Sequence, residues 1–403
     1  MDFGLNDEHR MVQKMVRDFA QKEVAPSIKE QDRAQEMAPF VLTRMGLLGI
    51  LGICIPVRYG GSGMDYISLG LACEELEAVD TSLRVVMSVH TGLCSMTLLQ
   101  WGTEKQKQEF LVPLAQGKKI GAGAFSEPGA GSDFANILMT GKRDGDDFIL
   151  NGEKMWISLA TKADYALVTV RTLPDVKRPY QGLSSFLVDL NSPGVTRGDI
   201  HGKLGVRAGS TGWINFQDVR VPADHMIGEE GEGFKVTMSA FDNGRYTVAA
   251  GATGLIRAAL EASVAYANDR EVAGKPIGEL QLIQAKIARM AVDHEAAQLL
   301  YLKAGWMKNE GQRNTRQTSA AKWYATDASF DAANEAIQIH GAYGFSDEYN
   351  VERYLRNARG AVIYEGSNEI QRLIQASYAL GKRRDKALRC EMPAFDEAAW
   401  QEE

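Results

Sequence analysis

The period of the hydrophobic residues changes twice along this 403-residue chain, and no other feature limits its fold as much. Up to about residue 119 the apolar side chains recur at helical spacing. Met11, Val12, Met15, Val16 and Phe19 fall on one face of a first helix, which Asn6 or Asp7 can cap and which ends near Pro26. Helical patterns continue at 41–48, 67–76 and 83–99, with turns at Tyr59, Gly60, Gly61 and Gly63. From 120 to 231 the texture is that of strands. Apolar runs at 148–150 and 154–157 flank Asn151-Gly152, a pair that tolerates the positive φ of a type I′ turn, so a hairpin is predicted there. Further strands are predicted at 166–170, 185–188 and 213–221. From 232 the helical period returns at 255–267, 282–307 and 318–339, in segments long enough for a bundle.

The predicted fold class is therefore α+β. A helical domain covers 1–119, a β-domain 120–231 and a helical bundle 232–403, with a polar tail after Arg383 expected to be loosely held. A chain of this length buries a large core and supports two or three domains. Its net charge of -7 argues against nucleic acid as the main partner and leaves room for a local basic pocket. Cys54, Cys73, Cys94 and Cys390 are scattered without metal-ligand spacing, which reads as a reduced, intracellular protein. The six histidines form no H-E-x-x-H pattern, so no catalytic metal is expected. Asp2, Asp7 and Glu8 come too early for a signal peptide. No stretch approaches the roughly 20 apolar residues of a membrane span, so a cytoplasmic protein without membrane insertion is expected.

Three segments can carry chemistry. The run Phe125-Ser126-Glu127-Pro128-Gly129-Ala130-Gly131-Ser132-Asp133 follows an apolar strand, and its glycines let backbone N–H groups approach a ligand. It also reads as a surface turn. Trp156-Ile157-Ser158 offers a flat apolar face beside a hydroxyl, which suits a planar ring; core packing would explain the tryptophan equally. Glu365 lies in a short joint after Ala361-Val362-Ile363, before a helix that Ser367 can cap. A carboxylate desolvated there gains a raised pKa, as a base for a weakly acidic C–H requires. The plainer account is an acid favoured by the helix dipole. No Rossmann G-x-G-x-x-G is present, so a nucleotide cofactor must be held in another way.

Together these segments resemble the acyl-CoA dehydrogenase family. The likeness runs from Asp2-Phe3 to about Gly381 and rests on seven motifs in family order: 126–133, 151–158, 203–212, 231–235, 240–251, 338–345 and 363–373. It implies an N-terminal helical domain, a middle β-barrel or sandwich, a C-terminal four-helix bundle, and a homo-oligomer, a dimer or a dimer of dimers. It implies FAD lined by Phe125, Ser126, Trp156 and Ser158, with Gln338, Gly341, Ser367 and Glu369 as further contacts. Arg270 and Gln281 match residues that reach the cofactor from a neighbouring subunit, Arg270 at the pyrophosphate. Ala273 and Glu369 depart from the family, where many relatives carry an aromatic residue and a glutamine. Ser132, Asp242 and Arg245 match positions that bind the CoA ester, Arg245 as a phosphate or adenine contact. Glu365 matches the catalytic base. In the family the thioester carbonyl accepts hydrogen bonds from that residue's backbone N–H and a ribitol hydroxyl of the flavin, so the α-proton becomes acidic enough for a carboxylate. The resemblance then implies a 2-enoyl-CoA product, with electrons leaving to an electron-transfer flavoprotein.

The acyl group is narrowed by Arg84, Ser88 and Thr91, at i, i+4 and i+7 on a helix capped by Asp80 or Thr81. A cation on a largely apolar helix wants an anionic partner. With Glu77 and Tyr364, Arg84 and Ser88 resemble the acyl pocket of glutaryl-CoA dehydrogenases, where the matching residues hold a free carboxylate; Gly366 follows the base at the same pocket. Internal pairing of Arg84 with Glu77 would equally satisfy the charge. Segments 240–251 and 370–373 look more like general or branched-chain relatives. Glutaryl-, benzylsuccinyl- and methylsuccinyl-CoA are therefore the expected substrates, with an uncharged short, branched or cyclic acyl-CoA as the alternative. An acyl-CoA oxidase, a flavin monooxygenase of the same fold and a non-enzymatic assembly factor are the other readings.

Overall fold

Asn6 begins the first helix of the computed structural model, which describes residues 4–402; Asp2 and Phe3 lie outside the described residues. In α1 (Asp7–Asp18) the Asn6 side chain accepts the His9 N–H at 2.8 Å. Val12, Val16 and Phe19 turn inward, but Met11 faces solvent, so the buried stripe is narrower than the spacing predicts. After Pro26 the chain continues to α2 (Tyr66–Val79) and α3 (Thr81–Trp101). Asp80 caps α3 by accepting the Ser82 N–H at 2.8 Å. Its middle, Met87–Ser95, is π-helical, which turns Thr91 away from Arg84 and Ser88; the Thr91 hydroxyl donates to the Leu51 carbonyl instead.

An eight-stranded sheet follows: β1 (Gly121–Ala124), β2 (Thr140–Asp144), β3 (Asp147–Ser158), β4 (Tyr165–Arg171), β5 (Leu183–Asp189), β6 (Val195–Asp199), β7 (Thr211–Pro222) and β8 (Met226–Ile227). Their order is β6-β7-β3-β2-β4-β5-β8, with β1 parallel to β4. The expected hairpin at Asn151-Gly152 is wrong. β3 runs straight through that pair, and the tight turn is Gly145-Asp146, between Asp144 and Asp147. The bulge here belongs to β7, where Gln217 and Asp218 together face Asn151 of β3, with Asp218 at φ +51. The Asn151 amide binds Asp218 twice, at 2.9 and 3.0 Å, and Gly152 takes φ +144 where a Cβ would strike Met139. A strand distorted opposite a bulge and a type I′ turn both use glycine at positive φ, and the Asn151 amide fastens to the bulge, so the same dipeptide serves either.

The bundle consists of α4 (Gly233–Asp269), α5 (Gln281–Asn309), α6 (Thr315–His340), α7 (Val351–Ala361) and α8 (Asn368–Ala379). A two-stranded hairpin, β9 (Glu271–Val272) and β10 (Lys275–Pro276), joins α4 to α5. Contrary to the sequence reading, α3 and α4 are long and apolar enough to cross a membrane by length and composition. The apolar window of α3 is wholly buried inside the protein and that of α4 mostly so, as in core helices.

The tail is also not loose. Arg389 pairs with Glu232 at 2.7 Å and lies over Trp101, and Gln100 donates to the Cys390 carbonyl at 2.9 Å. Tyr66 donates to the Pro393 carbonyl, and Trp400, 3% exposed, packs edge-on against the Tyr66 ring. A polar composition hid this because two aromatic residues, Phe395 and Trp400, do the anchoring. Trp400→Ala should lower the unfolding free energy by about 3 kcal/mol. It should also expose 382–402 to limited proteolysis; an unchanged melting temperature with an intact tail would refute the anchoring.

Candidate active site

Between α7 and α8 the chain closes a short joint, in which Tyr364 N–H donates to the Gly360 carbonyl and Asn368 N–H to that of Val362. Glu365 takes φ +55 and Gly366 φ +82, two left-handed residues in succession. Glycine bears this freely, and a Cβ at 366 would crowd Gln371 Nε2 at 2.6 Å. Glutamate does not, so its strain marks a site the surroundings hold in place. The carboxylate rests on Gly244 of α4, where any Cβ would overlap it. Oε2 is buried and has no hydrogen-bond partner. Burial pushes the carboxyl up to about 7, against Arg84, Arg245 and Lys322, which hold it down.

Arg84 and Glu77 are, by side chain, 1% and 0% exposed. Arg84 Nε donates to Glu77 at 2.6 Å, Nη1 to Ser88 at 3.1 Å and Nη2 to the Tyr364 hydroxyl at 2.6 Å. Burial opposes its charge, but Glu77 and Tyr364 raise it above the ordinary arginine range. The pair packs on Gly251, where a Cβ would crowd Arg84 Cγ at 2.7 Å. Ser88 reaches Thr247 at 2.7 Å, three residues or about 4.5 Å along α4 from Gly244. Arg245 donates to Asp242 at 3.0 Å, and Asp242 accepts from Thr315 at 2.5 Å. The Arg245 Nε is buried, unpartnered and close to Gly366, so this guanidinium faces the reacting end.

The sheet presents a second surface. Glu127 binds Lys154 at 2.9 Å and accepts the Leu138 and Met139 N–H groups, which fixes the loop carrying Phe125 and Ser126. Burial pushes Lys154 down to about 8, against Glu127. Phe125 meets Phe241 of α4 edge-on at 5.3 Å. Trp156 is the extra residue of a second bulge, at φ +63, and stands 61% exposed. Ser126, Ser132 and Ser158 make no side-chain hydrogen bond among the described residues, and Gly129 and Gly131 face open space. An outward indole beside free hydroxyls and open glycines fits a planar ring with a hydrogen-bonding edge. Ser367 stands at the N-cap of α8, but its hydroxyl makes no capping bond; it turns to Glu369, whose carboxyl its backbone N–H and that hydroxyl hold below the usual range.

Arg270, Gln281, Gln338 and Gly341 lie elsewhere. Arg270 follows Gly244 by 26 residues, roughly 39 Å along α4. His340 stacks on Tyr266 at 4.2 Å, so the end of α6 shares that remote corner. Leu282, 80% exposed, and Phe345 leave it apolar. Ala273 turns the β9–β10 hairpin at φ +53 and faces outward. Sequence reasoning missed Lys322. It sits on the inward stripe of α6 with Thr318, Ser319, Ala325 and Ser329, and a lysine at that spacing was the available signal.

Family descriptions match in three consecutive pieces: the acyl-CoA dehydrogenase N-terminal domain over residues 6–118, the middle domain over 122–219 and the C-terminal domain over 231–380. A probable acyl-CoA dehydrogenase of Bacillus subtilis (strain 168) is 41% identical over 380 residues, 94% of this chain and 100% of that protein. Butyryl-CoA dehydrogenase from Megasphaera elsdenii superposes with a TM-score of 0.92 at 38% identity, covering 94% of this chain and 100% of the other. A glutaryl-CoA dehydrogenase in complex with glutaryl-CoA gives 0.92 at 36%, covering 97% and 99%. A chain from a structure described as an electron transferring flavoprotein of Acidaminococcus fermentans gives 0.92 at 38%, covering 96% and 100%. The protein is thus a flavoenzyme of the three-part helix–sheet–helix class. It belongs to the acyl-CoA dehydrogenase family, FAD-dependent oxidoreductases acting on acyl-CoA.

The raised Glu365 carboxyl has a consequence for stability. A folded value near 7, above the ordinary 4.5, means the native state loses stability as pH rises from about 4.5 through 7. Glu365→Gln should therefore melt higher than wild type above pH 7, by about 1–3 kcal/mol, with the difference vanishing below pH 4.5. Equal melting curves at pH 8 would show that the carboxyl is not perturbed.

Proposed function

We propose that Glu365 takes the α-proton of a short acyl-CoA whose acyl group ends in a second carboxylate, held by Arg84. The observation that carries this reading is the position of Arg84 relative to Glu365. The Arg84 guanidinium binds Ser88, which reaches Thr247, one helical turn along α4 from the Glu365 carboxylate. That separation suits an acyl group of four or five carbons. Nε is used by Glu77, while Nη1 and Nη2 each donate once and keep a second N–H for a carboxylate. Likeness to a glutaryl-CoA dehydrogenase supports the same assignment.

Glu365 suits the role of base because its Oε2 is buried and unpartnered. Its backbone N–H has no acceptor among the described residues and is free for the thioester carbonyl, whose developing charge it would stabilise. Glu365 would take the α-proton, and FAD, when bound, would supply the two-electron acceptor that the conversion to a 2-enoyl-CoA requires. Phe125, Ser126, Trp156 and Ser158 would hold the ring of that cofactor, with Ser367 and Glu369 as further contacts. Arg270, Gln281, Gln338 and Gly341 are too remote for the same molecule and would meet the one bound by a partner copy. The exposed Leu282 and Phe345 supply apolar surface for that pairing. An electron-transfer flavoprotein as the electron acceptor is supported by the likeness to the Acidaminococcus chain.

A second reading has its own support. Glu77 already neutralises Arg84, so the buried cation does not demand an anionic ligand. On that reading the substrate is uncharged, as the likeness to butyryl-CoA dehydrogenase suggests.

Anaerobic flavin bleaching separates the two. Glutaryl-, methylsuccinyl- and benzylsuccinyl-CoA should reduce the wild type faster than butyryl- or isobutyryl-CoA. Arg84→Lys keeps a charge beside Glu77 but loses the fork, and should slow the dicarboxylic esters about ten- to hundredfold while sparing the uncharged ones. A wild type that prefers butyryl-CoA would leave Arg84 as a structural partner of Glu77. Glu365→Gln should retain flavin and lose at least about a hundredfold in reduction rate with every ester. Bleaching at the wild-type rate would mean the base is elsewhere.

A further inference from the structure

Six charged groups crowd the inner end of the site. Arg84 has Glu77, and Arg245 has Asp242. What remains is Glu365, with an unpartnered oxygen, and Lys322, with no carboxylate in ion-pair range among the described residues. Lys322 is fully buried on α6. Its ammonium donates to the Gly366 carbonyl at 3.0 Å and to Asn368 Oδ1 at 2.8 Å. Gln371 Nε2 donates to the same Gly366 carbonyl at 2.8 Å. Asn368 is itself fixed, donating to Thr326 at 3.0 Å and Asp327 at 2.6 Å. The Gly366–Ser367 peptide, one residue beyond Glu365, is therefore clamped from two helices.

We infer that Lys322 is a positioning residue for Glu365: its ammonium locks the left-handed Glu365–Gly366 backbone, and its charge favours the carboxylate that accepts the proton. The inference rests on the reading of Glu365 as the base. A neutral donor could serve the Gly366 carbonyl without the desolvation cost of a buried ammonium. The charge therefore needs another account, and Glu365 is the leading opposite charge acting on it. Burial pushes Lys322 down to about 7, Glu365 and Asp327 hold it up, and Arg245 and Arg84 push it down. On Glu365 act Arg84 from α3, Arg245 from α4 and Lys322 from α6. Lys322 and Glu365 thus each act on the other's charge, the ammonium favouring the carboxylate and the carboxylate the ammonium.

The test is anaerobic stopped-flow reduction of the flavin, from about pH 6 to 9, by the ester that bleaches wild type fastest. Wild type is compared with Lys322→Met, Lys322→Gln and Glu365→Gln. Flavin content and affinity for the matching 2-enoyl-CoA are read alongside. Both Lys322 variants should keep flavin and bind the enoyl-CoA nearly as wild type does. Lys322→Met should reduce about a hundredfold more slowly at neutral pH, as a displaced base does. In both variants the rise of rate with pH should move to higher pH, because a carboxylate without its neighbouring cation holds its proton more tightly. Lys322→Gln, which keeps a donor, should recover part of the rate but none of the pH shift. Rates within about threefold of wild type with an unmoved pH limb would overturn the inference, and so would loss of flavin or fold in both variants, which makes Lys322 structural. If Glu365→Gln itself bleaches as fast as wild type, the reading of the base has failed instead.

Discussion

Two glycines of α4 let the site exist. Gly244 and Gly251 are seven residues apart on one face of a continuous helix, about 10 Å along its axis. A methyl group at the first would overlap the Glu365 carboxylate, and one at the second the Glu77 carboxylate. Both acids are thus seated against bare backbone, with no side chain of α4 between them and the helix. The same close approach brings the α7–α8 joint onto α4 and lets Arg84 of α3 reach Tyr364. Filling either notch would separate three helices at the point where they meet.

The approach carries an electrostatic cost that the fold meets by pairing. Taking an ion out of water costs several kcal/mol even after relaxation. Glu77 and Arg84 offset one another at 2.6 Å, with Thr81 and Ser88 adding hydrogen bonds. Asp242 and Arg245 do the same at 3.0 Å, with Thr315. Glu365 receives no such bond at Oε2 and is the acid pushed up to about 7. One carboxylate of three is left short of partners, and it is the one in strained backbone. That combination is costly for a structural acid and useful for one that must gain and lose a proton near neutral pH.

Much of this was legible in the residues and some was not. The α, β, α order followed from hydrophobic period, because a helix stripe and an alternating strand bury different faces. The joint at Glu365 was visible from its apolar approach and from the helix that follows. Asn151-Gly152 misled because positive φ, the property that makes it a turn signal, is also what Gly152 uses on the strand facing a bulge of β7. Trp156 suggested a flat surface, but only the register of β3 against β7 turns the indole outward. The tail misled by its charge, since one buried tryptophan outweighs a run of exposed polar residues. The Glu77–Arg84 pair was foreseeable as an option and not as a fact, because seven residues across a helix break define no fixed distance. Lys322 was on an inward stripe, yet its partner is a backbone carbonyl 44 residues away, which no local pattern encodes.

The length of α4 has a last consequence for how function and assembly are linked. The helix runs unbroken from Gly233 to Asp269, so the pocket near Gly244 and the corner at Arg270 are ends of one rigid body. No hinge within it can bring Arg270 back to Trp156. If both ends contact flavin, as the family likeness implies, each cofactor is held by two chains and each chain holds parts of two cofactors. Binding of the cofactor then stabilises the pair and pairing stabilises the bound cofactor, since each shifts the other by mass action. A chain lacking a Rossmann motif could hold a dinucleotide in this way, because the contacts missing from one copy would come from the far end of another.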